Sequence, residues 1–136
     1  MINTNDLMIG NYVKVNSYLP EVIVSIEVDN VFTLPLKPSK INSRWRQEPK
    51  DLEGIPITKE WLIKLGFQKE SDYEFSIEVG DNVLEFEYEG DDLGYSVYLI
   101  NYHGSNYVQL KYFKYIHQLQ NFYFALTGKQ LTIKDK

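Results

Sequence analysis

The chain has 136 residues, 43% of them hydrophobic, 24% charged and 15% aromatic, with a formal net charge of −5. This length suits a single domain over 1–136, because such a chain buries roughly two thirds of its unfolded surface around one core. The absence of Cys excludes disulfides, thiolate metal sites and cysteine nucleophiles, while the lack of a signal-peptide pattern and of any run near ~18 apolar residues points to a cytoplasmic protein with no membrane partner.

The first part, 1–36, reads as a short β-meander or small barrel. Tyr12 to Val15, Val22 to Ile26 and Val31 to Leu36 are β-branched or aromatic runs, separated by turn-forming residues at 17–20 and at Asp29-Asn30. Gly10, just before the first run, can take a positive φ.

From 37 to 56 the prolines Pro38, Pro49 and Pro56 interrupt any ladder, so this stretch is expected to be an irregular loop. It is basic, carrying Lys37, Lys40, Arg44, Arg46 and Lys50 against Glu48 and, near its end, Asp51 and Glu53. Lys40, Arg44, Trp45 and Arg46 are candidate nucleic-acid contacts, with the indole stacking on a base and the cations meeting phosphates. The alternative is a Trp lid folded onto the core between solvated arginines.

The remainder, 57–132, is expected to hold a helix, a sheet and a second helix. Thr58 is a suitable N-cap, Ile57 and Leu62 occupy the positions of a hydrophobic staple, and Gly66 can end the helix in a left-handed conformation. Trp61, Leu62 and Leu65 form the apolar stripe of this short helix.

The strands that follow carry most of the negative charge. Between Glu70 and Leu110 stand ten carboxylates and no Lys or Arg, although the chain has fourteen basic residues in all. In Tyr73 to Val79, Tyr73, Phe75, Ile77 and Val79 alternate with Glu74, Ser76 and Glu78; after Gly80-Asp81-Asn82, Leu84, Phe86 and Tyr88 alternate with Glu85, Glu87 and Glu89. One face of this hairpin is therefore apolar and the other carboxylate, which is costly wherever like charges stand opposite across strands. Either that face is simply solvated or it meets a basic partner.

Tyr95 to Tyr102 has almost no polar face: Tyr95, Val97 and Leu99 line one side, Tyr98, Ile100 and Tyr102 the other. Such a strand is covered on both sides or presents aromatics to a partner, including a second copy in a dimer. After a turn at 103–106, Tyr107 to Tyr112 returns, completing a four-stranded antiparallel meander. Tyr115, Ile116, Leu119, Phe122, Tyr123 and Leu126 then recur at helical spacing, with Gly128 as the stop and Gln118, Gln120 and Asn121 on the expected wet side. This helix should pack on the meander, and the chain from Ile133 is expected to fray. The resulting fold class is α+β.

Catalytic and metal patterns are missing. His103 and His117 form no HxH or HExxH spacing; His103 with Ser105 is a weak Ser/His coincidence, and His117 is expected to be a hydrogen-bonded boundary residue. No P-loop or Rossmann turn is present, and the carboxylates do not follow a calcium-loop spacing, which leaves Gly80-Asp81-Asn82 and Glu89-Gly90-Asp91-Asp92 as weak ion-site candidates. The expectation is no enzyme activity, no cofactor and no metal.

Three blocks, Ile9 to Val13, Ile55 to Phe67 and Ile116 to Gly128, give the chain a resemblance to a family of small uncharacterised proteins encoded in phages, prophages and mobile elements of Bacteroides and relatives. The resemblance implies a bacterial or phage-infected cytoplasmic setting and brings no catalytic residues. Two function classes follow. One is a non-enzymatic protein-binding accessory factor using Glu74, Glu78, Glu85, Glu87 and Glu89, with Tyr98 and Tyr102 as anchors. The other is a nucleic-acid module using the basic Trp-containing loop, which the negative net charge disfavours.

Overall fold

The computed structural model describes residues 2, 6–15, 20–27, 30–36, 45–101 and 107–134. The chain is a mixed α and β protein, mostly β, and divides into two compact units: Met1–Pro56 with Tyr115–Asn121, and Ile57–Lys114 with Phe122–Lys136. Among the described residues no helix is long and apolar enough to cross a membrane.

The first unit is built on a five-stranded antiparallel sheet. Its strands are β1 (Tyr12–Val15), β2 (Pro20–Ile26), β3 (Val31–Pro35), β4 (Trp45–Gln47) and β5 (Leu52–Gly54), in the order β4-β3-β2-β1-β5. The expected three-strand meander is thus extended at both ends, and the described ladders make an open sheet rather than a barrel. Both added strands lie in the stretch expected to be a loop. They escape a sequence reading because each is three residues long and a 3-10 turn at Pro49–Asp51 separates them, leaving no room for a period-two pattern. Alternation sends Val13, Val15, Ile23, Val31 and Leu52 into a buried cluster with Ile2 and Leu7. Thr33 is fully buried among them; its hydroxyl donates to Glu21 Oε1 at 2.6 Å and accepts from Gln47 Nε2 at 3.4 Å, so its polarity is satisfied.

The second unit opens with helix α1 (Lys59–Lys64). Thr58 caps it as expected, its Oγ1 accepting from the Trp61 N–H at 3.2 Å, and Ile57 and Leu62 are both buried. Gly66 has φ 97°, and an added Cβ there would stand 3.1 Å from the Lys134 side chain. Against the expected fraying from Ile133, Lys134 N–H donates to Lys64 C=O at 2.8 Å, just beyond buried Leu131; residues 135 and 136 lie outside the described residues.

The sheet of this unit has five strands instead of the expected four: β6 (Gln68–Lys69), β7 (Glu74–Val79), β8 (Asn82–Tyr88), β9 (Tyr95–Asn101) and β10 (Tyr107–Phe113), in the order β10-β9-β8-β7-β6. The extra strand is a two-residue edge beside β7. Phe75, Leu84, Phe86, Val97 and Phe113 point to the buried side, and the Phe86 ring meets Phe67 edge-on at 5.1 Å and Phe113 at 6.3 Å.

Helix α2 (Ile116–Thr127) closes the chain, its residues assigned partly to one unit and partly to the other. Within the first unit Gln120 is buried instead of standing on the expected wet side, while Gln118 and Asn121 are half-buried. Gln120 is 5% exposed; its Oε1 accepts from Tyr12 N–H at 2.8 Å and its Nε2 donates to Gly10 C=O at 3.0 Å. Asn121 accepts from Asn11 Nδ2 at 2.8 Å and donates to Asp6 C=O at 2.6 Å. In the second unit, Phe122 packs on Phe113 at 5.4 Å, while Phe124 and Leu126 are exposed.

Candidate functional site: a carboxylate sheet face

Because Phe75, Leu84, Phe86 and Val97 are buried on one side of the second sheet, their neighbours in the strands must occupy the other. The register fixes which of them stand opposite. Glu74 faces Glu87, Ser76 faces Glu85, and Glu78 faces Val83 across β7 and β8; Glu85 faces Tyr98, Glu87 faces Ser96, and Val83 faces Ile100 across β8 and β9. Directly opposed side chains have Cβ atoms about 5 Å apart, and residues two apart on a strand are separated by about 7 Å. Glu74, Glu85 and Glu87 are therefore a compact group at the centre of the sheet.

The like charges act on one another. The Glu85 carboxyl is held above the usual carboxylate range by its partial burial, then by the charge of Glu74 and a hydrogen bond to it, then by the charges of Glu87 and Glu70. A hydrogen bond between two carboxyl groups requires a proton on one of them, so proton uptake as pH falls relieves the repulsion within the cluster. Among the described residues no Lys or Arg forms an ion pair with Glu74, Glu85 or Glu87; the Lys69 ammonium instead meets Asp72 at 3.1 Å.

The carboxylates border an apolar strip. Glu85, Glu87, Tyr98 and Ile100 line a depression of about 240 Å³, with Tyr98 and Ile100 half-buried. Tyr112, opposite Ser96 on β10, is 47% exposed and extends the aromatic border. A surface of this composition offers an alkyl and aromatic bed beside acceptors for a cationic head group.

The other expected site residues are placed as follows. Glu78 is exposed farther along β7, and Glu89 just beyond β8 accepts a hydrogen bond from the Ser96 hydroxyl at 2.8 Å. Tyr102 lies outside the described residues, as do His103 and Ser105. Lys40 and Arg44 also lie outside them; Trp45 and Arg46 belong to β4, pairing with Thr33 and Phe32, and the Arg46 side chain is exposed. Two participants escaped the sequence reading. Glu70 accepts from the Ser76 hydroxyl at 2.7 Å and joins the group acting on Glu85, and Ser96 orders Glu89. The signal for Glu70 was the two-residue β6, too short to read by periodicity.

His117 is not the hydrogen-bonded boundary residue expected. It is 4% exposed, and its buried Nδ1 has no hydrogen-bond partner among the described residues. No group of three or more His, Asp or Glu residues suited to a metal ion occurs among the described residues, the two acidic turns included. No protein-family model, curated protein or solved structure matches the chain.

Proposed function

We propose that this protein is a non-enzymatic protein-binding accessory factor of a phage or mobile element that docks a basic segment of its partner on the carboxylate and aromatic sheet face. The observation that carries this reading is the grouping of Glu74, Glu85 and Glu87 beside Tyr98 and Ile100, where partial burial and then the neighbouring carboxylates hold the Glu85 carboxyl above its ordinary range. A Lys or Arg placed among these groups replaces repulsion by attraction, while its methylene stem covers Ile100 and the Tyr98 ring. Aromatic contacts then supply most of the affinity, and the surrounding charge sets rate and selectivity. The phage or mobile-element setting rests on the resemblance of the three sequence blocks, and sequencing the neighbouring genes tests it separately.

The binding reading is tested by replacing Glu74, Glu85 and Glu87 together with Gln, which preserves shape and removes charge. Partner capture is expected to fall with rising salt for the wild type and to be lost in the triple variant. Capture that is unaffected by both salt and substitution contradicts the reading.

A further inference from the structure

The second unit holds a cleft of about 420 Å³ between the turn joining β7 to β8 and the last turns of α2, with every lining residue drawn from that unit. This volume is within the range of small-molecule sites. The floor is apolar. Val79, Leu99 and Tyr123 are half-buried and Leu126 is 44% exposed, so an apolar group laid on them removes further hydrocarbon surface from water. Leu99 stands opposite buried Leu84, which puts the floor on the side of the sheet away from Glu85 and Glu87. Beside the turn the cleft is open: an added Cβ on Gly80 would meet nothing within 4 Å.

Three side-chain donors border the floor without a partner among the described residues: the Lys129 ammonium, the Asn82 amide and the Tyr123 hydroxyl. All three can donate to an anionic oxygen, and the ammonium can only donate. Lys129 is tied beside the cleft by its main chain, its N–H donating to Thr127 Oγ1 at 3.0 Å. The end of α2 carries a partial negative charge of about half an elementary unit, less than the full charge on Lys129. Two of its carbonyls are already satisfied, Tyr123 C=O by the Thr127 hydroxyl and Phe124 C=O by the Gly128 N–H, each at 2.8 Å. Glu78, the one carboxylate in the lining, is exposed and interacts within the chain. Screened by solvent, it weakens an anion's binding without cancelling it, and it works more strongly against a second negative charge. We propose that this cleft binds a small monocarboxylic acid with an apolar alkyl or aryl tail, the carboxylate taken by Lys129, Asn82 and Tyr123 and the tail laid on Val79, Leu99 and Leu126.

The probe is 3-phenylpropionate, titrated into the full chain while the methyl groups of Leu99 and Leu126 are followed by proton–carbon correlation, with Leu99→Ile and Leu126→Ile assigning the signals. Saturable shifts are expected with 3-phenylpropionate. Binding should be weaker for 3-phenylpropanamide, which keeps the shape and loses the charge, and for phenylalanine, which adds an ammonium. Lys129→Gln should weaken 3-phenylpropionate about tenfold, the usual scale for losing a charged hydrogen bond. Glu78→Gln should tighten it about two- to threefold by removing the opposing charge, and Lys14→Gln, in the other unit, should leave it unchanged. No saturable shift, equal binding of the amide, tighter binding of phenylalanine, or undiminished affinity in Lys129→Gln overturns the proposal. The comparison of the three ligands uses the unmodified chain and so decides the matter even if a variant does not fold.

Discussion

The side-chain oxygen of Gln120 accepts a hydrogen bond from the backbone N–H of Tyr12 at 2.8 Å, joining residues 108 positions apart. With the bond from Gln120 Nε2 to Gly10 C=O, it satisfies two main-chain groups at the start of β1, on a side chain that is itself buried. Replacing Gln120 by Leu removes both bonds and leaves buried Tyr12 with an unmet donor. The expected loss is about 1–3 kcal/mol, read as a lower urea midpoint with an unchanged denaturant slope. A midpoint equal to wild type would show that Gln120 is not holding the strand.

Gly54 and Tyr115 make a second contact of this kind: a Cβ on Gly54 would lie 2.7 Å from the Tyr115 ring. Gly54→Ala forces a methyl against the ring and is expected to destabilise by about 1–3 kcal/mol, the scale of overpacking. Tyr115→Ala opens the space, so the double variant should lose less than the sum of the two single losses. Additive losses in a thermodynamic cycle would contradict the close approach.

Glu85 gives the carboxylate face a pH signature. Its folded pKa is raised above the ordinary value of 4.5, so the folded state holds more protons than the unfolded state between that value and the folded one. The associated stability is fully present below about 4.5 and is lost as pH rises through the folded pKa. At pH 7 the carboxylates therefore work against the fold, and Glu85→Gln is expected to stabilise by a few tenths to about 1 kcal/mol. This gain should disappear when unfolding is measured near pH 4; a gain that persists there would rule out charge as its source.

His117 titrates in the opposite sense. Its pKa is lowered by burial, with Asp6 partly opposing the shift, so the unfolded chain takes up protons first as pH falls. The stability it contributes is complete above the ordinary value of 6.5 and declines below it, toward the lower folded pKa. His117→Phe should flatten the wild-type decline between about pH 6.5 and pH 5. An unchanged slope would place the proton uptake elsewhere.

The parts of this fold that were legible in the sequence are those in which local chemistry and packing agree. Phe75, Leu84 and Phe86 alternate with charged or polar neighbours, and their strands lie where that alternation puts them. Thr58, Leu62 and Gly66 likewise mark the start, the buried face and the end of α1. The carboxylate face was legible for the same reason, since a period of two sends Glu85 and Glu87 to the side opposite Phe86. What stayed hidden depends on partners distant in sequence. A three-residue strand such as Leu52–Gly54 exists because β1 is beside it. Gln120 and Asn121 look solvent-facing until main-chain groups of residues 6–12 and the Asn11 side chain supply their partners. His117 follows the same logic, because helical spacing says nothing about whether a buried nitrogen finds a donor.

The most direct test of docking on the sheet face is selection from a random peptide display library with the immobilised chain, followed by counter-screening on the Glu74→Gln, Glu85→Gln, Glu87→Gln variant. The account predicts sequences enriched in Arg and Lys, bound more weakly by Tyr98→Ala and as salt rises, and not bound by the triple variant. Selected peptides without basic residues, or basic peptides held equally by the triple variant, would contradict it.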